Sequence, residues 1–180
     1  MSEQPWRNPR PAPQLPEMQP RLGHLLIPAW LRSWWPAVLW AGFIFVMSTD
    51  SFSAAHTSRV IEPILRWLFP SITVSQFDLI HHLIRKSAHF TEYFVFCLLL
   101  FRAVRGTRNG WHWSWGLTAL LIAAVYSCLD EIHQAFVASR GASPYDSLLD
   151  SIGAIFAFLA LFAWFRLRRP APPLPTPELS

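Results

Sequence analysis

KSAHFTEYFVFCLLLF, residues 86–101, is the stretch that decides the fold. From Phe94 onward it holds nothing more polar than a thiol, whereas its first half carries Lys86, His89 and Glu92. A helix needs about 20 mostly apolar residues to cross hydrocarbon. The stretch therefore reads as a membrane span whose charged head reaches protein or water. Three further runs read the same way: 33–48, 113–129 and 147–165, each bounded by charge. In lipid every backbone N–H and C=O has to be satisfied within its own helix. Four such runs thus predict an all-α protein, an integral-membrane four-helix bundle.

Composition agrees. Of 180 residues, 52% are hydrophobic and 14% charged, against about 25% charged in soluble domains, which excludes a disordered chain. Prolines crowd into Pro5–Pro20 and Pro170–Pro177. That delimits tails at 1–29 and 169–180 around a membrane domain at 30–168. A formal charge of +4 would ordinarily raise nucleic acid as a partner. Here the basic residues flank apolar runs and read as topology signals instead, so no nucleic-acid partner is expected. Ten Lys and Arg fall on the tails and the 102–112 loop, and five on the opposite side. The positive-inside bias then puts both termini in the cytoplasm. The first span follows some thirty polar, proline-rich residues, so a retained span is expected rather than a cleaved signal.

Both polar loops fall on the outer side. In the first, Ile61, Ile64, Leu65 and Leu68 are helically spaced and predict a short extra surface helix ended by Pro70. Ser75, with Asp78 three residues on, predicts the N-cap of the next helix.

Ionisable groups inside spans are costly and normally face protein or a water-filled cavity. Arg85, His89 and Glu92 share one helix face, with Glu92 about 10 Å below Arg85. Lys86, His89 and Tyr93 form an overlapping stripe. Asp130 shares a face with His133 and Gln134, while Glu131 points about 100° away. Asp130 is therefore expected inward and Glu131 not. Ser143, Asp146, Ser147, Asp150 and Gly153 make a third polar stripe. Either the cations Arg85, Lys86 and Arg140 simply neutralise Glu92, Asp130, Asp146 and Asp150, or the groups form a site. Three acids besides Glu92, two histidines and several hydroxyls exceed what bracing needs, which favours a site. Asp130-Glu131-Ile132-His133 lacks the H-E-x-x-H spacing and no two histidines lie at i, i+4, so neither a metal nor a cofactor is expected. Cys97 and Cys128 differ in depth and predict no disulfide.

The strings Arg85-Lys86-Ser87-Ala88-His89-Phe90-Thr91-Glu92-Tyr93 and Ser127-Cys128-Leu129-Asp130-Glu131-Ile132-His133-Gln134, followed by Arg140, Ser143, Asp146, Asp150 and Gly153, resemble the VanZ-like family of bacterial membrane proteins. The resemblance covers about 47–158. Ala138-Ser139 replaces the family's frequent Pro-Gly, and Asp150 stands where Asn is common. The resemblance implies a bacterial inner-membrane protein with a cell-envelope role, in a family whose best-known member is linked to low-level teicoplanin resistance.

The residues then support an outward-facing site for an envelope lipid or glycan precursor. Arg85, Lys86 and Arg140 would hold an anionic headgroup, with Tyr93, Glu131, Gln134, Ser143, Asp146 and Asp150 around the ligand. If chemistry occurs, Glu92 and Asp130 are the candidate acid and base, with His89 or His133 as shuttle. A proton-coupled transport component and a noncatalytic membrane scaffold stay open as alternatives.

Overall fold

The computed structural model describes residues 28–137 and 144–168. Arg140 and Ser143, and nearly all of both proline-rich ends, lie outside them. Five α-helices follow in order: α1 Ala29–Met47, α2 Ala54–Leu68, α3 Val74–Arg105, α4 Trp113–Ala135 and α5 Pro144–Leu167, with a 3₁₀ turn at Asp50–Phe52. Among the described residues there is no strand. Helices α3, α4 and α5 are each long and apolar enough to cross a membrane. Helix α1 meets that criterion only together with the segment Asp50–Leu68, from which it is bent by 74°.

Helix α3 packs against α1, α4 and α5, and α4 also packs against α5. The core is large on α3 and small on its neighbours. Tyr93, Phe96, Cys97, Leu100 and Phe101 come from α3, against Ala119 and Ala123 of α4 and Ala154 and Ala157 of α5. Small residues let helices approach closely where lipid offers no hydrophobic drive. At Gly153 an added Cβ would press directly on the Phe90 carbonyl oxygen. The outer faces are bare and apolar, with Leu117, Leu121 and Val125 on α4 and Phe156 and Leu159 on α5 all exposed. A surface this apolar and continuous belongs in lipid.

Long-range polar ties hold α1 in place. Pro36 lacks the N–H that would otherwise reach the carbonyl of residue 32. Arg102 of α3 supplies the missing donor, its Nη2 reaching the Arg32 carbonyl at 3.2 Å and its Nη1 the Ser33 carbonyl at 3.0 Å. Trp40 Nε1 donates to the Glu92 carbonyl at 2.9 Å, and Tyr126 Oη to the Ala41 carbonyl at 2.8 Å.

The start of α3 corrects the expected cap. Thr73, not Ser75, is the N-cap: its Oγ1 accepts from Gln76 N at 3.3 Å while Gln76 Oε1 accepts from Thr73 N at 3.0 Å. Thr-Val-Ser-Gln is itself a capping box, so the helix closes before Ser75 is reached. At 32 residues, α3 is about 48 Å long and exceeds a hydrocarbon core of about 30 Å. Helix α2 begins at Ala54, ahead of the apolar positions that announce it, and keeps Pro63 inside. Of those positions Leu65 is buried, while Ile64 and Leu68 are exposed with Val60 and Trp67.

Candidate functional site

Antiparallel packing brings the C-terminal ends of α1 and α4 to the N-terminal halves of α3 and α5. All eight described carboxylates lie toward this end: Asp50, Glu62, Asp78, Glu92, Asp130, Glu131, Asp146 and Asp150. The opposite end has Arg32, Arg102, Arg105, Arg108, Arg166 and Arg168 and no described acid.

Three polar groupings form at the acidic end. Between α1 and α4, Ser48 Oγ donates to Asp130 Oδ1, and Gln134 Nε2 donates to Asp130 Oδ2 at 2.8 Å. Asp130 and Gln134 are buried with Ser48, and both Asp130 oxygens accept from these two neighbours. Asp130 does face inward. Glu131, expected outward, is buried as well. The reason is rotational: Glu131 falls about 40° from Ser127, on the side of α4 that meets α5, while Asp130 falls toward α1. With a neighbour on each side, the interior arc of α4 is wide enough for both.

Between α3, α4 and α5, fully buried Asp150 is the hub. His89 Nδ1 lies 3.3 Å from its Oδ1 and Ser127 Oγ 3.3 Å from its Oδ2, and Ser127 Oγ is also 2.9 Å from Ser147 Oγ. A carboxylate on one imidazole nitrogen fixes the ring and leaves the other nitrogen for further work. Lys86 is ion-paired with Asp146 on the same helix pair. Tyr93 is fully enclosed, and its hydroxyl has no hydrogen-bond partner among the described residues.

The third grouping is a cleft of about 180 Å³ between α1, α2 and α3. Arg85, His89 and Glu92 line it, as their shared face requires, and the rest of its wall includes Met47, Phe52, Ile61 and Ile84. Arg85 Nη1 donates to the Phe52 carbonyl at 3.2 Å, and its charge also feels the Glu92 carboxylate in the same cleft. Helix α2 is joined to α3 beside the cleft by Thr57 Oγ1 and His81 Nε2, 3.1 Å apart.

The predicted residues thus divide. Arg85, His89 and Glu92 share the cleft; His89 also joins Asp150; Lys86 and Asp146 pair with each other; Asp130 and Gln134 pair with Ser48. His133 packs its ring on Phe45 of α1, with centroids 4.6 Å apart. Sequence reasoning missed Ser48 as a partner of Asp130, Thr57 and His81 as a latch, and the apolar lining from α1 and α2. Ser48 carried a usable signal, a hydroxyl closing an otherwise apolar helix. Cys97 is buried and Cys128 exposed, both as free thiols.

A family model, VanZ/LLP1, matches residues 33–166. No curated protein and no solved structure matches this chain.

Proposed function

The chain belongs to the VanZ/LLP1 family, and from that premise we propose that it is a multi-pass inner-membrane protein with a lipid-facing binding site at its outer end. Helix α1 is the fourth span. It is tied to α3 at one end through Arg102 and to α4 at the other through Ser48 and Asp130, and its 19 residues measure about 28 Å. Both termini then lie on the Arg-rich side, which the positive-inside bias assigns to the cytoplasm. Helix α2, turned 74° from α1 and showing Val60, Ile64 and Trp67 outward, rests in the outer interface.

The ligand is the anionic headgroup of an envelope lipid or lipid-linked glycan precursor. One observation carries this: Arg85 lines a cleft whose other walls are mostly apolar, with the Glu92 carboxylate beside it. Such a cleft suits a molecule with a phosphate or carboxylate and an apolar remainder. A guanidinium grips either anion bidentately. Glu92 accepts from sugar or glycerol hydroxyls, and His89, oriented by Asp150, is the group able to take or give a proton there. Lys86, already neutralised by Asp146, contributes position. Sequestering such a precursor would link the protein to teicoplanin susceptibility.

Mass spectrometry of lipids copurified with wild type and with Arg85→Ala tests the reading. The anionic species most enriched on wild type is expected to fall about tenfold, the loss of one charged hydrogen-bond donor set. Matched membrane levels and a matched comparison of teicoplanin susceptibility accompany it. Equal lipid retention in two equally stable proteins would contradict the headgroup role.

A further inference from the structure

At the opposite end of the helices the structure holds a second hollow, of about 290 Å³, walled by Trp111, Trp113, Phe162 and Phe165 and edged by Arg166 and Arg168. We infer that it is a separate seat for the phosphate of an anionic phospholipid. It shares no residue with the outer cleft, and the inference does not depend on which side of the membrane it faces.

Charge is the first argument. No described acid occurs in 28–49, 93–129 or 151–168, so nothing on these segments neutralises Arg166 and Arg168. Both sit in or just beyond the last turn of α5, where the partial negative charge of the helix end favours cations. The second argument is how their faces are used. The Arg166 guanidinium lies over the Phe162 ring at 5.3 Å and that of Arg168 over Trp164 at 3.5 Å. Stacking occupies the flat face of a guanidinium and leaves its N–H edge for a planar or tetrahedral oxyanion.

One wall residue also has an unmet donor. Trp111 is packed by Phe101, Phe158 and Phe162 at centroid distances of 5.3, 5.5 and 5.7 Å. Its indole Nε1 is nonetheless buried without a hydrogen-bond partner among the described residues. An indole N–H in such a place normally finds an acceptor. Behind it the Arg105 guanidinium lies over Phe101 and Phe165, at 5.9 and 5.6 Å, adding positive potential. The hollow lies where α4 begins and α5 ends, a Trp-rich level that matches lipid headgroups. An aromatic wall beside a cationic edge fits a phosphodiester with glycerol attached better than a bare ion.

The experiment uses full-length protein in detergent micelles, read by native mass spectrometry with added phosphatidylglycerol, phosphatidylcholine or inorganic phosphate. It is run in an Arg85→Ala background, which weakens the outer cleft about tenfold. Adding Arg166→Gln and Arg168→Gln is expected to weaken phosphatidylglycerol binding roughly 30-fold, the combined effect of two arginines at a lipid surface. Phosphatidylcholine should bind weakly to both proteins. Should the glutamine pair not fold, Arg166→Lys with Arg168→Lys, which keeps charge and removes the fork, is expected to weaken binding by a smaller factor. Unchanged phosphatidylglycerol affinity in whichever pair folds would overturn the seat. So would equal affinity for phosphatidylcholine. Inorganic phosphate binding as tightly as the lipid would overturn the lipid assignment and leave an anion site.

Discussion

Asp150→Ala is expected to lower stability by about 3 to 5 kcal/mol, the usual consequence of removing one partner of a buried ion pair, here that of Asp150 with His89. Asp150 is fully enclosed, within 3.3 Å of both His89 Nδ1 and Ser127 Oγ. Alanine leaves an imidazole and a hydroxyl facing an apolar gap between three helices. Asp150→Asn keeps the volume and one acceptor oxygen, so most of the loss should be absent in it. Thermal melts in detergent, followed by circular dichroism, give both values. An alanine variant melting with wild type would show that the hub has no bracing role.

Gly153→Leu comes next in size. Its Cβ alone would press on a main-chain carbonyl, that of Phe90, which cannot swing aside as a side chain can. The two helices would have to separate, and overpacking of this kind costs about 1 to 3 kcal/mol and sometimes more. The tight packing of α3 on α5 would be lost, and with it the alignment of Lys86 with Asp146 and of His89 with Asp150. A melting temperature well below that of wild type is expected, with Gly153→Ala in between. Equal melting of the leucine variant would mean that the two helices tolerate a wider spacing than this contact implies.

These two residues show what the sequence made legible. The four- and three-residue steps from Asp146 to Asp150 to Gly153 placed them on one face without any structure, as did the spacing of Arg85, His89 and Glu92. Spacing within a helix fixes rotation, and rotation was enough to turn Asp130 inward. It could not say how wide the covered arc of a helix would be, so Glu131 was misjudged. Nor could it apportion cations among acids. Arg85 and Lys86 are adjacent, yet one lines a cleft with α1 and α2 while the other pairs with α5, because about 100° of rotation separates them. Pairings across long stretches of chain, Ser48 with Asp130 and Arg102 with the carbonyl freed by Pro36, depend on packing that no local pattern encodes. The start of α3 was legible and misread, since Thr73 and Gln76 carry the capping box two residues before Ser75.

In the proposed topology the acid-rich ends of the helices face outward and the arginine-rich ends face the cytoplasm. Single cysteines at exposed Ser71 and Asn109, in a chain with Cys97 and Cys128 replaced by alanine, test it in intact spheroplasts with a membrane-impermeant maleimide. Labelling at position 71, with protection at 109 until the membrane is permeabilised, is the predicted result. Labelling at 109 with protection at 71 would place the Arg85 cleft in the cytoplasm and contradict an outer-leaflet ligand.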